Sequence, residues 1–229
     1  MGTITVTMIQ AILPEILLVL LGAVILVLDL ILSEDHKGSL GWVSAGGLLV
    51  IIIVSLLAAR PEFPGSQIWG GMIRHDWLAF VFKLLFLFSA AITSLFVIGY
   101  EGLDRRGEFF VLLLASTLGM SFMASSANLI MLFLAIETTS IPLYVLAGFM
   151  TGKDSSTEAG FKYLLFGAVT SAIMLYGFSL LYGFTGTADL YRIAQAIGTG
   201  QISGVTLIAI IILILVGFGF KVSVVPFLS

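Results

Sequence analysis

Cysteine is absent from this 229-residue sequence, and charge is scarce: Asp, Glu, Lys and Arg together make up only 10% of it. Without thiols the chain holds no disulfide, no thiolate zinc site and no cysteine-ligated iron–sulfur cluster. Its two histidines, His36 and His75, both lie in polar joints beside charged residues, which excludes a haem held by paired histidines inside a bilayer. The net charge of −3 is spread along the chain with no basic patch, so nucleic acid is excluded as a partner. The opening residues MGTITVTMIQ contain no lysine or arginine, and the first basic residue is Lys37. This start lacks the charged region of a cleaved signal peptide, and the first apolar run is expected to stay in the protein.

Apolar residues are what the chain has in excess. They make up 59% of it, with a mean hydropathy of +1.17. A soluble domain carries about a quarter charged residues, and no soluble fold of this length hides so much apolar surface. An all-α polytopic membrane protein is therefore expected, with lipid as its surroundings. Seven apolar runs stand out, at roughly 11–32, 40–59, 77–99, 109–124, 127–150, 158–184 and 203–225. Each is near the ~20 residues that cross the hydrocarbon core.

Charge and turn residues mark the joints. "SEDHKGS" separates the first two runs, "ARPEFPGSQ" opens a longer loop, and "YEGLDRRGE" is the most charged joint. "TGKDSSTE" offers a Ser/Thr cap with Glu158 near the next helix start. Odd-numbered joints carry Lys37, Arg105, Arg106 and Lys153, and even-numbered joints Arg60, Arg74 and Arg192. The positive-inside rule thus leans toward an external N-terminus. Between runs six and seven, "TGTADLYRIAQAIGTG" places Leu190, Ile193, Ala194 and Ile197 on one helical face. It reads as an interfacial helix near 188–198, with Thr187 as its start cap and Gly198 at its end.

Three ionisable residues lie nearest the middle of their runs or well inside them: Glu137, Lys162 and Lys221. On insertion scales each costs roughly 2.5–3.5 kcal/mol at a helix centre, so they are expected to face a polar cavity or one another. Pro142 follows Glu137 by five residues, and Pro226 follows Lys221 by five. A proline cannot bond the carbonyl four residues before it. The freed carbonyls belong to Thr138 and Val222, beside each charge. Helix breaks are therefore expected at Pro142 and Pro226, with Gly217 and Gly219 loosening the backbone before the second. A carboxylate, two amines and local water are the parts of a proton relay; the competing reading is a static ion pair that fixes helix packing. Glu158 and Lys162 form an i, i+4 pair, and Lys162 would exchange between Glu158 and Glu137. Lys83 and Asp29 are secondary candidates. Lys83 is read first as snorkelling to the interface, Asp29 as a structural charge near a span end, and Glu15 as a helix-start carboxylate.

"NLIMLFLAIETTSIPLYVLAGF", "STEAGFKYLLFGAVTSAIMLYGFSLLYGFTGT" and "GFGFKVSVVPF" closely resemble subunit N of bacterial NADH-quinone oxidoreductase, respiratory complex I, whose mitochondrial counterpart is ND2. The likeness is specific from about residue 108 to 227. Residues 1–107 match more loosely, by three helices, "ILPEILL" and an acidic end to the first run. The pattern "EAxxKYxxxGA…LYGxxLxYGxTG" separates subunit N from its sister subunits L and M. The resemblance implies three N-terminal helices (1–107) followed by the first antiporter-like repeat (108–229). It implies a proton-translocating subunit in which Glu137 pairs with Lys221 at a broken helix, with Lys162 as a relay. It also implies further helices beyond "VPFLS", so the chain is expected to be part of a longer subunit.

No redox group is expected in the chain; NADH, flavin (FMN), iron–sulfur clusters and quinone would belong to partner subunits. The resemblance implies other complex I membrane subunits as partners, sister antiporter-like subunits among them, and the bacterial inner membrane as the location. Two competitors stand beside this reading. One is a Mrp-type cation/proton antiporter or membrane-bound hydrogenase subunit. The other is a structural subunit needed for assembly and not for conduction.

Overall fold

The computed structural model describes residues 5–62, 65–100 and 102–224. It is helical almost throughout, as expected where lipid leaves backbone groups no other partner. The elements are α1 (Val6–Ala11), α2 (Leu13–Ile31), one 3-10 turn (Lys37–Ser39), α3 (Leu40–Ala58), β1 (Ser66–Ile68), β2 (Ile73–His75), α4 (Trp77–Val97), α5 (Gly107–Ser125), α6 (Leu129–Ala147), α7 (Asp154–Thr185), α8 (Leu190–Gly198) and α9 (Gly204–Lys221). Seven of them, α2 to α7 and α9, are long and apolar enough to span a membrane. They follow the seven apolar runs.

The joints sort onto two faces. On one, the indole of Trp69 donates to the Met8 carbonyl (3.0 Å), and the Ala127 amide to the Met72 carbonyl (2.9 Å). Leu190 donates to Ala127 (3.0 Å) and Leu129 to Ala188 (2.8 Å). The β1–β2 hairpin, the α5–α6 joint and the start of α8 are thus fastened together by backbone hydrogen bonds. We call this the hairpin face. The hairpin itself lies within the stretch the sequence presents only as a long loop. On the opposite face the joints meet through side chains: Asp29 accepts from the Gly107 amide (3.2 Å) and pairs with Lys37 (3.5 Å), and Arg106 lies over the Phe149 ring (5.5 Å). Asp29 therefore holds a joint.

Gly107 has to be glycine. A Cβ there would lie 2.5 Å from the Cβ of Asp29. Gly107→Ala is expected to cost about 1–3 kcal/mol, as overpacked sites do. A lowered thermal midpoint of the detergent-solubilised protein checks it.

Two apolar cores form. Leu18, Ile25, Leu40, Leu48, Leu87 and Phe110 build one from α2 to α5. Ile136, Met174, Phe178, Ile193 and Ile210 build the other from α6 to α9. The amphipathic helix α8 joins the second core through buried Ile193. Its start cap is Asp189, whose carboxylate accepts from the amides of Tyr191 (2.8 Å) and Arg192 (3.0 Å). Thr187, the expected cap, instead accepts from the Asp189 amide. A carboxylate suits this place better, because it accepts two amides at once. Helix α7 begins earlier than its apolar run, at Asp154. The serine of "TGKDSSTE" caps elsewhere: Ser156 donates to the Ala147 carbonyl at the end of α6 (3.0 Å).

Candidate functional site

Helices α6 and α9 both start at the hairpin face. Lys221 is the last residue of α9, and long helical side chains lean back toward the helix start. Its ammonium therefore reaches into the bundle. There Nζ donates to the hydroxyls of Ser140 (2.8 Å) and Tyr144 (2.6 Å) and lies 3.6 Å from the Glu137 carboxylate. Glu137, Ser140 and Tyr144 sit at i, i+3 and i+7, one stripe of α6. Ser171 of α7 donates to the same Glu137 oxygen (2.7 Å). Tyr144 is fixed edge-on by Tyr163, with centroids 4.6 Å apart. Three helices thus supply one carboxylate, one amine and three hydroxyls, with Lys221 and Glu137 both largely buried.

The sequence reading and the structure agree on the Glu137–Lys221 pair and differ around it. Lys162 is not brought to Glu137. It pairs with Glu158 at 2.6 Å on an exposed face of α7, with its side chain 60% exposed. Helix α6 runs unbroken through Pro142. The Thr138 carbonyl loses one partner, but the neighbouring turns keep theirs, and the buried ring packs inside the bundle. Gly217 and Gly219 also lie within continuous helix; at Gly217 a Cβ would fall 2.5 Å from that of Met174, so the glycine serves the close crossing of α7. The helix stops directly after Lys221, before the break expected at Pro226, and Ser223 turns the chain with a positive φ of 53°. Pro226 lies outside the described residues.

A second ion pair is buried nearer the hairpin face. Lys83 Nζ lies 2.7 Å from Glu15 Oε1 and donates to the Ala11 carbonyl (2.9 Å). Ser121 of α5 donates to the same Glu15 oxygen (2.6 Å). Glu15 is 2% exposed and Lys83 4%. Lys83 does not snorkel, and Glu15 is no surface helix-start charge. Their meeting was within reach of the sequence. Glu15 is the third residue of α2 and Lys83 the seventh of α4, so two helices starting on the same face carry opposite charges within ~10 Å of their starts.

Among the described residues no group of three or more His, Asp or Glu side chains is placed to hold a metal ion.

Comparison with known proteins bears on the same residues. A family profile described as NADH:quinone oxidoreductase/Mrp antiporter, TM, matches residues 126–229, which include Glu137, Ser171 and Lys221. NADH-quinone oxidoreductase subunit N of Rhodospirillum rubrum is 41% identical over 218 residues, covering 94% of this chain and 44% of that protein. F(420)H(2) dehydrogenase subunit N of Methanosarcina mazei is 39% identical, covering 93% and 44%. In structure, a chain of respiratory complex I from Thermus thermophilus with bound aureothin superposes with a TM-score of 0.73 at 29% identity, covering 93% of this chain and 45% of that one. The chain spans about half the length of the curated relatives it matches. Sequence likeness over most of the chain, the profile over residues 126–229 and the shared helical fold agree: the chain is similar to the antiporter-like membrane subunits of the NADH:quinone oxidoreductase family, with subunit N as the branch it resembles.

Proposed function

We propose that this chain carries part of the proton-transfer path of a proton-translocating quinone oxidoreductase, driven by quinone reduction elsewhere in the complex. The observation that carries the reading is the setting of Lys221. Its carboxylate partner stands 3.6 Å away, while two hydroxyls hold the amine at 2.8 and 2.6 Å. Hydroxyls accept from an ammonium and donate to a neutral amine, so Ser140 and Tyr144 suit both protonation states of Lys221. A permanently charged pair would be better served by a close carboxylate. Glu137, anchored by Ser171, sets the charge that Lys221 feels, and a small change in their separation alters which state is favoured.

Lys162 enters this path from the exposed face of α7, exchanging between Glu158 and groups of the rest of the subunit. The division into three N-terminal helices (1–107) and an antiporter-like repeat from residue 108 fits this reading. The chain itself works without a redox group; NADH, FMN, iron–sulfur clusters and quinone sit in partner subunits, among them sister antiporter-like subunits, in a bacterial inner membrane. The relationship to an F(420)H(2) dehydrogenase subunit makes the electron donor a property of those partners as well. A Mrp-type antiporter is the weaker reading, because the relatives named above are subunits of oxidoreductases.

The test uses the full-length subunit in its assembled complex. Glu137→Gln and Lys221→Met are each expected to lower proton uptake by inverted membrane vesicles, and coupled turnover with it, by roughly tenfold, with assembly normal on native gels. Normal uptake in both variants would leave the site a structural ion pair.

A further inference from the structure

The Glu15–Lys83 pair is set up for more than packing. One carboxylate oxygen of Glu15 takes the lysine and Ser121; the other, Oε2, is buried without a hydrogen-bond partner. A buried carboxylate oxygen left bare is costly, and static buried pairs are stable only when the remaining lone pairs are satisfied. Beside the pair lies a small cavity of about 10 Å³, bordered by Ala11, Pro14, Ala59, His75 and Lys83 among others. That is about the room one water needs. His75, on β2, closes the cavity toward the hairpin face and is 8% exposed. Burial, together with the nearby Lys83 ammonium, lowers its pKa below the ordinary imidazole value, against the opposing pull of the Arg60 backbone, Asp76 and Glu15. That favours the neutral imidazole, in which one ring nitrogen can accept a proton and the other carries one. Next to it, Arg74 is ion-paired with Asp76 (2.6 Å).

We propose that His75, Lys83 and Glu15 form a second proton-exchange site, which takes protons from the aqueous phase on the hairpin face through one water held between His75 and Lys83. A proton enters on one nitrogen of His75 while the N–H of the other passes its proton to the water. The water passes one on to the lysine as the lysine hands its own to Glu15. The net change is one proton taken up by Glu15 and the His75 N–H moved from one ring nitrogen to the other, a tautomer that rotation of the ring restores before the next proton. Ser121, bonded to Glu15, places the outcome on α5, the wall between the two cores. The site shares no residue with the Glu137–Lys221 cluster.

Because pumping is the readout, the inference rests on the proton-translocating reading above, and Glu137→Gln is measured alongside to separate the two. In inverted vesicles holding the full-length subunit in its complex, the double variant Glu15→Gln/Lys83→Met removes both charges together. It is expected to assemble and to lower proton uptake by at least ~2-fold. His75→Ala is expected to slow uptake, and added imidazole to restore it, because the small base replaces the missing side chain. Uptake that stays normal in the double variant while Glu137→Gln lowers it overturns this inference alone. Uptake normal in both overturns the pumping role as well. A slowed His75→Ala that imidazole does not restore also overturns it, as a merely structural histidine would behave so. If His75→Ala does not assemble, His75→Gln keeps the hydrogen bonding without the proton exchange, and normal uptake in that variant overturns the proposal.

Discussion

Lys83→Met alone is expected to destabilise the protein by about 3–5 kcal/mol, the cost of leaving one member of a buried ion pair without its partner. Glu15 would keep Ser121 but lose the ammonium at 2.7 Å, at a site 2% exposed. The expected reading is a thermal midpoint lower by on the order of 10 °C in detergent. Adding Glu15→Gln should recover most of the loss, because two uncharged side chains of similar size remove the desolvation cost and the attraction together. A single variant as stable as its parent would mean that water reaches the carboxylate freely. A double variant no better than the single one would mean that the lysine stem, rather than its charge, fills the site.

Gly119→Ala carries the second large effect. A Cβ at 119 would lie 2.5 Å from Thr139 Oγ1 and 2.8 Å from the Ala135 carbonyl. Both belong to α6, two residues either side of Glu137, and the carbonyl is helix backbone that cannot move aside. The helices must separate. The expected cost is ~3 kcal/mol, together with reduced proton uptake if Glu137 serves as proposed, since α6 carries it. Gly46→Ala is the control: nothing lies within 4 Å of its added methyl. That variant should be unchanged, or more stable by about 0.4–1 kcal/mol through a less flexible unfolded chain. Measuring both in one series separates the close crossing from any general effect of losing a glycine.

The spans were legible because hydropathy along the chain is decided residue by residue. Runs at 40–59 and 77–99 became Leu40–Ala58 and Trp77–Val97. Glu137 and Lys221 stood out because a charge deep in an apolar run has few uses. What remained hidden depends on neighbours. Pro142 suggests a break until the packing around α6 shows the helix held on both sides. Lys162 suggests a buried relay until its face of α7 is seen to be open. Glu15 and Lys83 each have an ordinary explanation taken singly, and their meeting emerges only when the span order is followed to the parallel course of α2 and α4. The hairpin was hidden for another reason: strands of three residues are too short to show a period.

The backbone stitching of the hairpin face makes the molecule unevenly stiff. Helix α9 is rooted on that side: the Ser203 hydroxyl accepts from the Thr206 amide, Gln201 donates to the Phe184 carbonyl, and Ile202 is buried. Its 18 residues form an arm of ~27 Å with Lys221 at the far tip. A pivot of only ~5° about the rooted end would carry that tip by ~2 Å. The gap to Glu137 is 3.6 Å, so a tilt of that size, which the close crossing of α7 at Gly217 would have to follow, would be enough to make or part the pair. The amine sits where leverage is greatest.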